Sequence, residues 1–281
     1  MKTILSILII SFTLLGSDLF SEDNTFESND SLTNIDSLTV KETPLKDSKA
    51  TDEKGKVTYV DGVVKKKTLS SKEFDQEVKL DGKVKSKESY KTMIKSRAEL
   101  ELKGMDIIRL APKTTIDLIS LYEELLENKT EKTKIKLEEG DIWAQVNSSD
   151  EDSEFEFESG VGSAAITGTN FRVSRSNDGT TRMKVYHGEV KLTNSKNPET
   201  IVPRSVNDFK PKTKSLKPKQ ISGPKEVSLK EWVYIVKNMQ EISFDKNGNV
   251  TSAGTFSKND KDEKSFWVEW NRRRDRAKGL R

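Results

Sequence analysis

Several short stretches have residue types that could do chemistry. The run GVGSAA at 160–165 satisfies G-x-G-x-x-G/A, the loop that cradles a dinucleotide pyrophosphate. That chemistry needs a helix N-terminus after the loop, where free amides and the helix dipole meet phosphate. The chain instead continues as ITGTNFRV, β-branched and alternating, and then reaches the turn residues Asn177, Asp178 and Gly179. The glycines are therefore expected to serve a β turn and close backbone packing, and no cofactor is expected. Ser163 with the single histidine, His187, could form a nucleophile–base pair, but no G-x-S-x-G elbow is present. DKNGN from Asp245 resembles the start of a calcium loop, yet Phe256 stands where the bidentate acid is required. The acids of EEGD (138–141) and DEDSEFEFE (150–158) have no fixed separation and suggest a solvated edge. No catalytic residue and no metal site is therefore expected, and the chain is not expected to be an enzyme.

At the C-terminus, Trp267 and Trp270 precede Arg272, Arg273 and Arg274. Aromatics beside arginines could dock an anionic polymer, a lipid surface or an acidic partner; the plainer reading is a solvated tail.

Composition narrows the choices. Of 281 residues 32% are hydrophobic and 34% charged, which suggests a modest core flanked by solvated segments. A net charge of +3 is too small for a dedicated nucleic-acid binder. The absence of cysteine excludes disulfides, zinc ribbons, iron–sulfur clusters, thiol nucleophiles and a lipoprotein anchor. Lys2 and the apolar run ILSILIISFTLL at 4–15 fit a signal peptide over 1–21, too short for a bilayer span. An exported protein, periplasmic or in the outer envelope, is expected, with an uncleaved anchor as the alternative.

Five segments position these residues. After the signal peptide, 22–55 is expected to be a disordered tether, being polar and without sustained period. Over 56–197 apolar residues alternate, as in half-buried strands. Within it, SLYEELLENKTEK is expected to be an insertion or short helix. Three runs each carry apolar residues five and three places before a glycine and two places after it. These are Val57, Tyr59 and Val64 around Gly62; Ile135, Leu137 and Ile142 around Gly140; and Met183, Val185 and Val190 around Gly188. The inward parity flips at each glycine, which predicts a bulge or corner there. Residues 198–226, rich in Pro and Lys, suggest a linker or strap. In 227–281, Ser228 and Glu231 look like a capping box, with Leu229, Trp232, Val236 and Met239 on one helical face. Asn247-Gly248 then signals a hairpin.

The span VGSAAITGTNFRVSRSNDGTTRMKVYHGEVKL resembles the core motif of FecR-type periplasmic domains. Gly168, Thr169, Phe171 and Val173 stand for its Gly-Thr-x-Phe-x-Val strand; Gly188, Glu189 and Val190 stand for its closing x-Gly-x-Val strand. VDGVV with Gly62, the 98–118 hairpin and LEEGDIWAQV with Gly140 agree in order, so the resemblance covers roughly 56–194. It implies an extracytoplasmic, all-β, solenoid-like signalling module without catalytic activity. Family members relay a signal through an anti-sigma region, and this chain is expected to be a stand-alone exported domain lacking one.

The expected fold is mainly β: an irregular solenoid-like or sandwich-like domain with a small C-terminal α+β appendage. The expected function is non-enzymatic protein interaction and signalling in the cell envelope, through an envelope protein partner and not nucleic acid. The alternative is an envelope scaffold binding peptidoglycan or another surface polymer, by cell-wall or anionic surface contact.

Overall fold

Strands that are apolar on one face and turn at a permissive residue can fold one sheet over its own core, and this chain does so. The computed structural model describes residues 53–124, 131–147, 153–195, 198–210 and 231–280. All of them lie in one unit, Ser48–Arg281. The expected signal peptide and nearly all of the expected tether lie outside the described residues.

Sixteen strands form one sheet among the described residues. In chain order they are β1 (Gly55–Asp61), β2 (Val64–Thr68), β3 (Gln76–Glu77), β4 (Lys83–Val84), β5 (Glu88–Thr92), β6 (Arg97–Leu102), β7 (Ile107–Leu110) and β8 (Thr115–Glu124). Then come β9 (Glu131–Val146), β10 (Ser153–Ser159), β11 (Gly162–Arg175), β12 (Thr181–Thr193), β13 (Arg204–Ser205), β14 (Val233–Lys237), β15 (Gln240–Phe244) and β16 (Val250–Thr255). One helix, α1 (Phe266–Ala277), follows. The sheet is open rather than closed into a barrel.

The glycine corners are where long strands change partners. Up to Glu139, β9 pairs with β8 and β10; from Gly140 it pairs with β7 and β11. Gly168 and Gly188 divide β11 and β12 in the same way. Gly62 separates β1, paired with β6, from β2, paired with β5. All four glycines have positive φ: 72° at Gly62, 100° at Gly140, 56° at Gly168 and 87° at Gly188. One layer therefore contains β1, β6, β7, the second halves of β9 and β11, the first half of β12, and β15. The other contains β2, β5, β8, the first halves of β9 and β11, β10, the second half of β12, and β14. Their inner faces form one core, with Phe157 of β10 set edge-on to Phe171 of β11 at 5.8 Å.

Of the nine alternating positions around the three glycines, Tyr59 departs from expectation. A bulge between Val57 and Tyr59 puts Tyr59 opposite Glu99, on the outer face. Two further segments also differ. SLYEE is the end of β8, not a helix; LLENKT lies outside the described residues, and Glu131 and Lys132 begin β9. The helix expected from Ser228 is strand β14 where it is described. A run of Trp, Val, Tyr, Ile and Val suits a pleated surface, and the edge of β12 supplies its partner. Of the Pro/Lys stretch, the described part packs Val206, fully buried, into the core.

Candidate functional site

The register across the first layer aligns one outward row: Tyr59, Glu99, Arg109, Trp143, Arg172, Lys184 and Glu241, one from each of β1, β6, β7, β9, β11, β12 and β15. Alternation should point these to solvent. Instead Glu99 and Arg109 are completely buried, because α1 and the 3-10 turn before it lie across the row.

The contacts are charge-matched. The Glu99 carboxylate accepts from Arg109 Nε at 2.6 Å, Thr58 Oγ1 at 2.7 Å and both Nε and Nη2 of Arg274 at 2.9 Å. Arg109 Nη1 donates to Asp275 at 2.5 Å; Trp143 Nε1 donates to the other oxygen of Asp275 at 3.0 Å. Arg172 binds Asp141 at 2.6 Å and Asp262 at 2.9 Å. Lys184 reaches Asp262 and Glu263, each at 2.9 Å. Burial would raise the Glu99 pKa, but the hydrogen bonds from Arg274, Arg109 and Thr58 outweigh it and hold the carboxyl well below the usual range. For Asp275 and Asp141 burial wins and pushes the carboxyls up, against Arg109 and Arg172 respectively.

Beside α1 opens a cleft of about 800 Å³. Its floor is aromatic: Trp143 stacks on Tyr186 at 4.4 Å, and Phe256 meets Tyr186 edge-on at 5.3 Å. Met239 and Leu280 add apolar surface; His187, Lys258, Arg272 and Arg276 bring basic groups to the lining.

The residues expected to contact a partner largely face inward. Trp270 is buried, stacks on Trp267 at 5.4 Å and leans on Tyr59. The Trp267 indole N–H donates to Asp141 at 3.0 Å. Arg272 binds Glu263 at 2.7 Å, Arg274 binds Glu99, and Arg273 is exposed. Ser163 lies opposite Thr193, at the far end of β12 from His187, which lies opposite Asn170. At ~3.3 Å per residue the six-residue offset along β12 is about 20 Å, so the structure does not bring the two together. Gly160 and Val161 form the turn between β10 and β11, and a Cβ on Gly162 would meet the Thr193 carbonyl at 2.5 Å. Asp245 accepts the amides of Asn247 and Asn249 inside the β15–β16 turn, both at 2.9 Å. The acids of β10 pair with lysines of the parallel β9, Lys134 lying between Glu156 at 3.2 Å and Glu158 at 3.0 Å. Among the described residues no group of three or more His, Cys, Asp or Glu could hold a metal ion.

The glycine–threonine pair is a corner device. Thr169 Oγ1 donates to the Thr167 carbonyl at 2.8 Å and lies 3.1 Å from the Glu189 carbonyl, while Phe171, Val173 and Val190 point into the core. Glu189 is exposed and pairs with Lys237 at 3.3 Å. Residues 88–191 match the family model described as FecR protein. That segment is similar to a FecR domain. It runs from β5 into β12, so α1 reaches it from outside the matched segment. Two crystal structures of a candidate anti-sigma factor from Parabacteroides distasonis are similar to the chain at 12% identity, each over 59% of this chain and 59% of that one, with TM-score 0.37. The chain thus spans about three-fifths of the length of these structures. No curated protein matches the chain.

Residue patterning alone did not single out Glu99, Arg109, Trp143 and Asp275. Part of their signal was present: Trp267, Asn271, Arg274 and Lys278 recur at helical spacing, and Arg109 interrupts the otherwise apolar IIRL, whereas Glu99 sits in the ordinary alternation of RAELEL.

Proposed function

We propose that the chain is an exported, non-enzymatic binding module of the cell envelope, acting in signalling through its FecR domain and a protein partner. The observation that carries this reading is the open cleft beside α1. Its aromatic floor and basic lining suit a partner's side chains, and the acid in its wall, Asp275, is already bound by Arg109 and Trp143. A general base held by a buried arginine and an indole is poorly placed to take a proton.

The test is photo-crosslinking in cells from a reactive residue installed at Lys258, with Glu77 on the exposed strand β3 as the control. A discrete protein adduct from position 258 and not from 77 supports the reading. No adduct, or the same adducts from both, overturns it. Fractionation should recover the protein outside the cytoplasm; cytoplasmic recovery would remove the envelope from the proposal. Co-sedimentation with cell-wall sacculi, lost on deletion of residues 266–281, would instead favour the scaffold.

A further inference from the structure

We infer that the cleft beside α1 takes an acidic segment of a partner protein that presents one aromatic or leucine side chain to the aromatic floor. The inference rests on the reading of the chain as a partner-binding module and specifies what that partner must carry. Tyr186, half-buried and braced by the buried rings of Trp143 and Phe256, gives the floor an aromatic surface against which one ring or aliphatic group can pack. Met239 lines the same floor, and its unbranched thioether side chain adapts to the group that enters. Met239 also has φ 58°, left-handed backbone that a non-glycine residue seldom adopts. It is held there by its amide donating to the Val185 carbonyl at 2.8 Å and its carbonyl accepting from Phe256 N–H at 3.0 Å.

Charge chooses the flanking residues. Asp275 is the acid in the lining, and Arg109 neutralises it. Arg272 is matched by Glu263. Lys258 and Arg276 are exposed and, among the described residues, form no ion pair. Two uncompensated cations thus flank an apolar floor. A partner segment with carboxylates on both sides of an apolar anchor complements that pattern, whereas a basic segment is repelled. The volume, about 800 Å³, fits an anchor with its neighbours rather than a whole helix or domain.

Fluorescence anisotropy of the full chain with three dye-labelled peptides tests this. The probes are Asp-Glu-Phe-Glu-Asp, its Phe-to-Ala version, and Lys-Arg-Phe-Arg-Lys. The acidic Phe peptide should bind saturably, and the other two at least about fivefold more weakly. Lys258→Ala with Arg276→Ala should weaken the acidic Phe peptide by about fivefold or more, as two exposed ion pairs would. Both side chains are exposed, so the variant should keep the parent melting temperature. Raising salt from about 0.1 M to about 1 M, which shortens the Debye length from about 10 Å to about 3 Å, should weaken the parent similarly. Equal binding of all three peptides, or no effect of the double substitution, overturns the inference. A Lys258 crosslink adduct alongside failure of the acidic peptide would leave partner binding standing and refute only the acidic-aromatic chemistry. Absence of both would refute both.

Discussion

Replacing Glu99 by Gln should destabilise the protein far more than the same change at Glu101, two residues along the same strand. Glu99 is fully buried and accepts from Thr58, Arg109 and both donors of the Arg274 fork, at 2.6–2.9 Å. A glutamine keeps the shape, but it removes the charge and turns an NH2 group toward an arginine donor. Breaking a buried ion pair on one side costs about 3–5 kcal/mol. Asp275 still holds Arg109, so the low end applies, roughly 3 kcal/mol. At about 2–4 °C per kcal/mol for a domain of this size, the melting temperature should fall by roughly 6–12 °C. Glu101 is a half-exposed partner of Lys278 at 2.8 Å, and its replacement should cost at most ~1 kcal/mol. Thermal unfolding followed by tryptophan fluorescence measures both changes. Amide exchange across residues 266–277 should speed up in the Glu99 variant and not in the Glu101 variant. Adding Arg274→Ala to the Glu99 variant should cost little more, because its partner is already gone. Equal melting temperatures for the two single variants would refute the clasp.

Further outcomes are expected at the corners, the ladder and the titrating groups. Gly188→Ala should cost roughly 2–3 kcal/mol in urea unfolding, because φ is 87° and a Cβ would lie 2.7 Å from the Gly168 carbonyl. Gly254→Ala, with nothing within 4 Å, is the control, and equal costs would refute the corner argument. Lys134→Glu should cost ~1 kcal/mol by facing Glu156 and Glu158, and adding Glu156→Lys should recover part of it; no recovery would discount the ladder. On acidification, Glu99 has a folded pKa below its ordinary 4.5, so its contribution is full above that value and lost only as pH falls through the lower folded one. Asp275 is shifted up, so its protonation favours the fold as pH falls. The helix signal of α1 in far-ultraviolet circular dichroism should therefore hold down to about pH 4.5, Glu99's ordinary value, and fall only below it; loss of α1 near pH 6 would refute the assignment.

The corners were legible in the sequence because a parity flip at a glycine leaves few backbone solutions. Gly62, Gly140 and Gly188 all have the positive φ that the flip requires. Tyr59 broke the pattern because a bulge at Thr58 shifts the register by one, which period two alone does not register. Strand β14 was missed for another reason. Its apolar spacing fits either a helix face or a buried strand, and only the free edge of β12 decides between them. The candidate site was least legible. Arginines near a C-terminus suggest solubility until a row of buried charges on the sheet shows what they complement.

That complement makes the C-terminal helix part of the domain. On the sheet side Glu99, Asp141 and Glu241 balance Arg109, Arg172 and Lys184. On the other side Asp262, Glu263 and Asp275 balance Arg272, Arg274 and Lys278, so the match lies in which charge meets which. A buried network adds little net stability over an apolar packing of the same shape, but removing half of it leaves charges unpaired. It also specifies register, since sliding α1 by one turn would separate Asp275 from Arg109 and Arg274 from Glu99. Truncation after Ser265 should therefore expose Trp143 and strand Arg109, instead of removing a dispensable tail. The shortened chain should keep its β signal in far-ultraviolet circular dichroism, lose ~3 kcal/mol or more and so melt at least about 6–12 °C lower, and bind an apolar dye. An unchanged melting temperature after truncation would show that the sheet face tolerates water, and would leave the charge match without a structural role.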